Sequence, residues 1–354
     1  MRSLVLAMAA VSAFSFAVSE AKTAAAAAAG DLKISGPHTH GNLAVYFIHG
    51  ESAKGPVPLT LAEGLERGGV RVFETGDVNE LKIENAGDQP VFIQSGDIVK
   101  GGRQDRVITS SLILKPKSGE VPLAAFCVEH GRWSSRGDES ATYFESAAEA
   151  VPSREAKLAM KAPRTVSALG AVGARDGGDS VSARQTDVWA SVARTQAKLA
   201  SGLNASVESE ASATSLQLSL ENEKLQKTRA EYVDALKAEG ESGDDIVGYA
   251  FAVNGKLNSA DVYESNGLFR KMWLKQLQSA ATEAIGERDD KAKPAEAPAA
   301  DLVKTFLADA KQGSVTHDDV TSGNRIEVRD SVKAVYFAAT PSASAVVHEN
   351  YLAK

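Results

Sequence analysis

The chain has 354 residues, 43% of them hydrophobic and 24% charged, with 39 lysines and arginines against 46 aspartates and glutamates. That balance suits a globular protein with one sizeable core or two modest ones. The net charge of −7 argues against nucleic acid or an anionic membrane as the main partner, because both reward a positive field.

The first 21 residues carry one basic residue, Arg2, an apolar run from Leu4 to Val18 and a small-x-small end at Ser19-Glu20-Ala21. This is the pattern of a secretory signal peptide, and it predicts export to the periplasm or beyond. Residues 22–40 read as an Ala-rich leader. No later stretch is long and apolar enough to span a bilayer, so the mature chain is expected to have no membrane span. The only cysteine, Cys127, excludes an internal disulfide and suits a buried, inert thiol in the strand "VPLAAFCVEH".

Residues 41–151 read as β-rich, interrupted by a short helix from Leu59 to Arg67. Two strands flank the turn at Asn85-Ala86-Gly87-Asp88, and a second tight turn falls at Ser95-Gly96-Asp97. "RVITSSLILKP" alternates as one half-buried strand, which Pro116 ends. Residues 134–181 are rich in Gly, Ser and other small residues and predict a long flexible surface loop. From Ser182 the pattern turns helical, with Ser182-x-x-Gln185 matching a capping box and Val188, Trp189, Val192 and Leu199 on one face. A second helix is expected within 212–239. Asn254-Gly255, between two alternating strands, is the strongest hairpin signal in the chain. Asn266 opens a long helix with Phe269, Trp273, Leu277, Ala280, Ala281, Ala284 and Ile285 inward, and Gly286 stops it. A Pro/Ala linker at 288–299, a short helix from Asp301 to Lys311 and two apparent strands close the chain. The expected fold is α+β: β-rich first, helical in the middle, then a hairpin, a long helix and closing strands. It forms one domain over 41–354.

Chemistry concentrates in "GGRQDRVITSSLILKPKSGEVPLAAFCVEHGRW", residues 101–133. Between Asp97 and Glu139 the basic residues outnumber the acidic ones by one, in a chain of charge −7. Gly101 and Gly102 let the backbone approach a ligand, and Arg103, Arg106 and Arg132 are forks for a phosphate or carboxylate. Gln104 would orient that anion, Glu129 would serve as general acid or base, and Trp133 would wall the site. If the strands before Arg103 and Arg132 are antiparallel neighbours, the two segments meet at one sheet edge. The competing assignment is structural. Arg132 and Arg106 then pair with Glu129 and Asp105, Trp133 packs on Trp189, and loop 134–181 is the surface for a protein partner. Truncating Arg132 discriminates them: loss of binding without unfolding supports a ligand site.

Other chemistries find little support. The six histidines include one close pair, His38-x-His40, and neither His-Glu-x-x-His nor paired Cys-x-x-Cys occurs, so no metal ligands are assigned. "GGRQDR" lacks the Gly-Lys-Ser/Thr ending of a P-loop, and no Gly-x-Ser-x-Gly elbow is present. The motifs do not identify a cofactor.

Taken in order, "GDIVKGGRQDRVITSSLIL", "VPLAAFCVEHGRW", "RQTDVWASV", "IVGYAFAVNGKL", "LFRKMWLKQLQSAATEAI" and "VHENYL" resemble a largely uncharacterised bacterial family, the ADP-ribosylglycohydrolase- and rhodanese-phosphatase-associated protein domain family. The resemblance runs from about Asn42 to Tyr351 and implies one domain that contains the middle helices. The positions matching its motif are Gly101, Gly102, Arg103, Gln104, Arg106, Cys127, Glu129, Gly131, Arg132 and Trp133, with Gln185 and Trp189 from the later helix. It implies no established reaction.

Overall fold

The computed structural model describes residues 32–161 and 181–354, except 290, 292, 294 and 343. The signal peptide expected over 1–21, most of the leader and residues 162–180 lie outside the described residues. In chain order the strands and helices begin with β1 (Lys33–His40), β2 (Leu43–His49), β3 (Leu59–Thr60), α1 (Leu61–Glu66), β4 (Val70–Glu74), β5 (Glu80–Asn85), β6 (Val91–Ile93) and β7 (Asp97–Gly101). Then come β8 (Arg106–Ile108), β9 (Leu112–Leu114), β10 (Glu120–Cys127), β11 (Phe144–Ala150), α2 (Arg154–Lys161), α3 (Val181–Leu203), α4 (Leu216–Leu220) and α5 (Glu223–Gly240). The chain closes with β12 (Ile246–Val253), β13 (Lys256–Tyr263), α6 (Asn266–Gly286), α7 (Ala300–Ala310), β14 (Ser314–Val320), β15 (Asn324–Asp330), β16 (Ala334–Pro341) and β17 (His348–Ala353).

Eight strands form one antiparallel sheet in the order β1-β2-β12-β13-β17-β16-β15-β14. Every residue of β12 is buried, because both faces of this sheet are covered. Val45, Phe47, Tyr249 and Phe251 face the core shared with α3, α5 and α6. The alternate residues Ala44, Tyr46, Ala250 and Ala252 face a smaller core with Val303 and Leu307 of α7. The 288–299 linker joins α6 to α7, and the Tyr46 hydroxyl donates to the Pro298 carbonyl. A six-stranded sheet, β11-β7-β8-β10-β5-β4, and a three-stranded one, β3-β6-β9, come from the segment between β2 and β12.

The expected hairpin closes at Asn254-Gly255, where φ is +50° and +73°. The long helix has the expected bounds, with all seven named apolar residues buried and the side chain of Ser265 capping its N-terminus. Thr60 and Glu63 form a capping box on α1.

Several expectations are corrected. Residues 33–40 are not leader but β1, paired along β2. Within the predicted loop 134–181, β11 pairs with β7, and α2 buries Ala156, Lys157 and Met160. Ala147, Ala150 and Ala156 are buried there and serve close packing. "RVITSSLILKP" is not one strand: β8 and β9 enter different sheets, and Thr109–Ser111 link them. "NRIEVRDSVKAVYFAAT" is two strands, β15 and β16, and β14 before them was unforeseen. Ser182 is not an N-cap, since the helix already runs at Val181 and the Ser182 carbonyl accepts from Thr186 Oγ1.

At Gly202 a Cβ would stand 1.9 Å from the Ile285 carbonyl oxygen, so α3 and α6 cross at backbone contact. Gly202→Ala should force the helices apart and cost about 1–3 kcal/mol, read as a lower urea midpoint at unchanged slope.

Candidate functional site

The two halves of the 101–133 motif meet as the sequence anticipates. β8 and β10 are antiparallel, with Cys127 opposite Arg106, so the chain leaving β10 passes the turn that enters β8. Gln104 Nε2 donates to the Glu129 carbonyl at 3.0 Å, and the Asp105 carbonyl accepts from Val128 N–H at 3.1 Å. Gly102 has φ +56°, and a Cβ there would lie 2.2 Å from the Phe144 ring and 2.8 Å from Glu74 Oε2. Only glycine fits that turn. The Gly101 N–H donates to Asp105 Oδ1.

Each of the three buried guanidinium groups is ion-paired within the chain, although Arg106 Nε and Arg132 Nη2 make no hydrogen bond among the described residues. Arg132 Nε donates to both Glu129 carboxylate oxygens at 2.8 Å, and its Nη2 lies 2.7 Å from Glu129 Oε2 and 3.6 Å from Asp105 Oδ1. Arg136, outside the predicted set, donates to Asp105 Oδ2 at 3.1 Å and to Glu139 Oε1 at 2.8 Å. Arg106 is wholly buried, bonded to the Gln104 carbonyl at 2.6 Å and 3.5 Å from Glu74 Oε2. Three arginines thus meet four carboxylates, those of Glu74, Asp105, Glu129 and Glu139. Burial alone would raise the Glu129 carboxyl, but hydrogen bonds from Arg132 and Ser212 and the charges of Arg132 and Arg136 outweigh it and hold the group below its usual range. Burial prevails at Asp105, which is raised.

Of the eight candidate residues, Arg103 and Trp133 are the ones that face solvent, the Arg103 guanidinium lying 5.3 Å from the centre of the 43%-exposed indole. Trp189 packs edge-on against His130 instead of Trp133. Arg106 pairs with Glu74 rather than with Glu129 or Asp105. Gln185 holds the motif from outside: its amide exchanges two 2.9 Å bonds with the Cys127 peptide, completing the edge of β10 beyond the end of β5. Burial pushes the Cys127 thiol up to about 12, which makes it a poor nucleophile.

A second polar assembly lines a cavity of about 640 Å³ walled by the Thr109–Ser111 link, β9, β10, the end of α2, the start of α3 and β14–β17. β17 pairs with β13 so that Asn350 lies opposite Asp261, and His348, two residues away, shares that face. His348 Nε2 is 3.0 Å from Asp261 Oδ1, and His348 Nδ1 is 3.0 Å from Ser111 Oγ. Asp261 also accepts from Asn350 Nδ2 at 2.8 Å and from the Tyr249 hydroxyl at 2.8 Å. Burial would raise the Asp261 carboxyl, but the hydrogen bond and charge of His348, with the charges of Lys157 and Lys161, bring it down to about 2. It is therefore a carboxylate at neutral pH. In a neutral imidazole the proton then sits on Nε2, which leaves Nδ1 to accept from the Ser111 hydroxyl.

Lys161 reaches the same cavity from the end of α2. Its Nζ donates to Asn350 Oδ1 at 2.6 Å and lies 4.6 Å from the centre of the Phe337 ring. Desolvation dominates this amine and lowers it to about 7. Arg184 also lines the cavity, alongside apolar walls such as Phe126, Met160 and Phe337. The sequence carried one signal for this site: polar residues at 111, 261, 348 and 350 in otherwise apolar strand surroundings.

Fold and sites together define a single-domain α+β protein built around a polar-walled cavity and a compensated arginine cluster. The chain belongs to the ARG and Rhodanese-Phosphatase-superfamily-associated Protein domain family, whose model matches residues 31–353. No curated protein and no solved structure matches it. No helix among the described residues is long and apolar enough to cross a membrane.

Arg132→Ala would leave Glu129 and Asp105 as buried carboxylates short of a partner. It should cost about 3–5 kcal/mol of unfolding free energy. Arg103→Ala, at the exposed position, should stay within about 0.5 kcal/mol of the parent in the same urea titration.

Proposed function

We propose that the chain binds a small molecule bearing one phosphate or carboxylate group, and that the cavity between α2, the Thr109–Ser111 link, β9, β10 and β14–β17 is the site. The observation that carries this reading is Lys161. Its ammonium is desolvated, yet the partners in contact with it are a neutral amide and an aromatic ring. A desolvated cation without a carboxylate in contact is destabilised in its charged form, and an anionic ligand group relieves that cost. Apolar walls with a few convergent polar groups suit a small organic ligand. Asp77, Glu80, Asp318 and Asp319 also line the cavity, which disfavours a polyanion and favours a ligand with one localised anionic group and donors elsewhere.

The arginine cluster supports this placement from the other side. With its forks on Glu74, Asp105, Glu129 and Glu139, an anion there would have to displace carboxylates already bonded. We assign Glu129, Arg106 and Arg132 to holding the cavity wall, because the cluster sits at the paired ends of β8 and β10 and β8 leads directly into Thr109–Ser111. Arg103 and Trp133 remain the part of the motif open to a ligand from solvent. Export belongs to the same proposal, resting on residues 1–21 alone.

Sulfate and acetate should raise the melting temperature of residues 22–354, and Lys161→Met should abolish the rise while keeping the fold. Sulfate keeps its charge across neutral pH, so the pH dependence reports the protein. Lys161 titrates at about 7 when free, and a bound anion raises that value. Sulfate affinity should therefore increase as pH falls through 7 and level off below it. An unchanged shift in Lys161→Met would refute the placement. Fusing residues 1–21 to a reporter active only after export should give activity in the periplasmic fraction; reporter confined to the cytoplasm would overturn that part.

A further inference from the structure

We propose that the cavity is catalytic, with Ser111 as an acyl-accepting nucleophile, His348 as its general base and Asp261 as the residue that positions the imidazole. This deepens the ligand-binding reading and rests on it for the substrate class: an ester or thioester of a small acid that also carries a phosphate or carboxylate.

Three features carry the proposal. The first is connectivity. Ser111 Oγ, His348 and Asp261 form an unbroken chain of two 3.0 Å contacts, and each member is at most 5% exposed. The second is access. Ser111, His348 and Asn350 all line the cavity, so the far end of this chain meets open volume rather than packed core. The third is preorganisation. The Ser95 N–H donates to Ser111 Oγ at 3.0 Å, which fixes the hydroxyl oxygen while its proton points to Nδ1. Asp261 is in turn held by Asn350 and Tyr249. Nucleophile, base and orienting acid within hydrogen-bond reach are the general signature of an activated serine. Here the ring is used in reverse sense, with Nδ1 toward the serine and Nε2 toward the aspartate; the proton path is equivalent. Ser111 lies in the link between β8 and β9, where the chain changes sheet, so it is not tied into a strand ladder.

The chemistry balances without another reagent. Ser111 Oγ forms a bond to the acyl carbon while its proton passes to His348 Nδ1. The ester or thioester bond then breaks, and the leaving oxygen or sulfur takes that proton from Nδ1. Water repeats the sequence: it yields a proton to Nδ1 and its oxygen bonds the acyl carbon. The Ser111–acyl bond breaks, and Ser111 Oγ recovers the proton. Asp261 stays ionised throughout and stabilises the imidazolium that forms twice.

Methanesulfonyl fluoride and phenylmethanesulfonyl fluoride are the probes for residues 22–354 in the folded state. The expected result is one sulfonyl adduct by intact mass, mapped to Ser111, absent after urea unfolding and absent in Ser111→Ala. His348→Gln should slow the labelling at least ~100-fold. Ser111→Cys keeps the hydrogen bond and offers a second readout: the introduced thiol should react with iodoacetamide while buried Cys127 does not. No adduct in the parent together with an unreactive introduced thiol would overturn the proposal, as would labelling that survives Ser111→Ala. The sulfate and acetate shifts separate the two readings. If they persist in Ser111→Ala while labelling is absent in the parent, the ligand site stands and the nucleophile falls. If Ser111 labels but neither anion stabilises the parent, the nucleophile stands and the anionic substrate class falls.

Discussion

The rest of the molecule depends on the antiparallel pairing of β2 with β12. Leu43 pairs with Val253 and Phe47 with Tyr249, across some two hundred residues of intervening chain. Closing so long a loop costs conformational entropy that local contacts do not return. What returns it is burial on both faces: aromatic and branched residues toward α5 and α6, alanines and Tyr46 toward α7. With β2 and β12 side by side, β13 follows through the Asn254-Gly255 turn and β17 adds beside β13. Asp261, His348 and Asn350 are thereby brought onto one face. The segment between β2 and β12 folds back over that face as the two smaller sheets and delivers Ser111. The cavity exists because an insertion is packed onto a sheet that its own flanks build.

Buried charge is handled in two ways within one core. In the arginine cluster each guanidinium is met by carboxylates, and the N–H groups of Gly101, Arg103 and Asp105 bond carboxylate oxygens as well. Such a network contributes modestly as a whole but is expensive to break, because removing one member strands another. Around Asp261 the compensation is different. The carboxylate has His348, Asn350 and Tyr249 in contact, whereas Lys161 touches an amide and a ring. Tyr249 and Tyr263 are both raised well above the ordinary phenol range by burial and by Asp261, so they remain neutral donors. Lys161 is lowered to about 7 by desolvation, and it lies at the cavity wall.

Several elements were legible from local rules. The hairpin and α6 follow from turn chemistry and from a 3.6-residue apolar period, both sequence-local. That Gly101–Arg106 would meet Glu129–Arg132 followed from treating their strands as antiparallel neighbours. What the arginines would hold there was not legible, since Arg132 has a carboxylate three residues away and a hypothetical ligand as equal candidates. Arg136, outside the candidate set, pairs with both Asp105 and Glu139, and nothing local in sequence marks it out. The strand β11 and helix α2 lie where small and polar residues mimic a loop. Their structure comes from pairing to β7 and from covering the sheet, neither of which leaves a periodic mark. Gln185 fitted a capping box by spacing but spends its amide on the Cys127 peptide, a tertiary use that overrode a local one.

By itself, then, the sequence determined the α+β class, the family, the hairpin, the long helices and the meeting of the two motif halves. The class, the hairpin and the helices rest on patterns with periods of two to four residues or on turn residues with restricted φ, and the family on motifs that recur in order along the chain. Tertiary structure decided the rest: that residues 33–40 and 144–161 are ordered elements, that the arginines face carboxylates, and that Ser111, Asp261 and His348 join across 237 positions of chain. The reason is physical. A polar residue on a strand reads the same in sequence whether it meets water, a partner or a cavity. Only the pairing of distant strands determines which of these it meets.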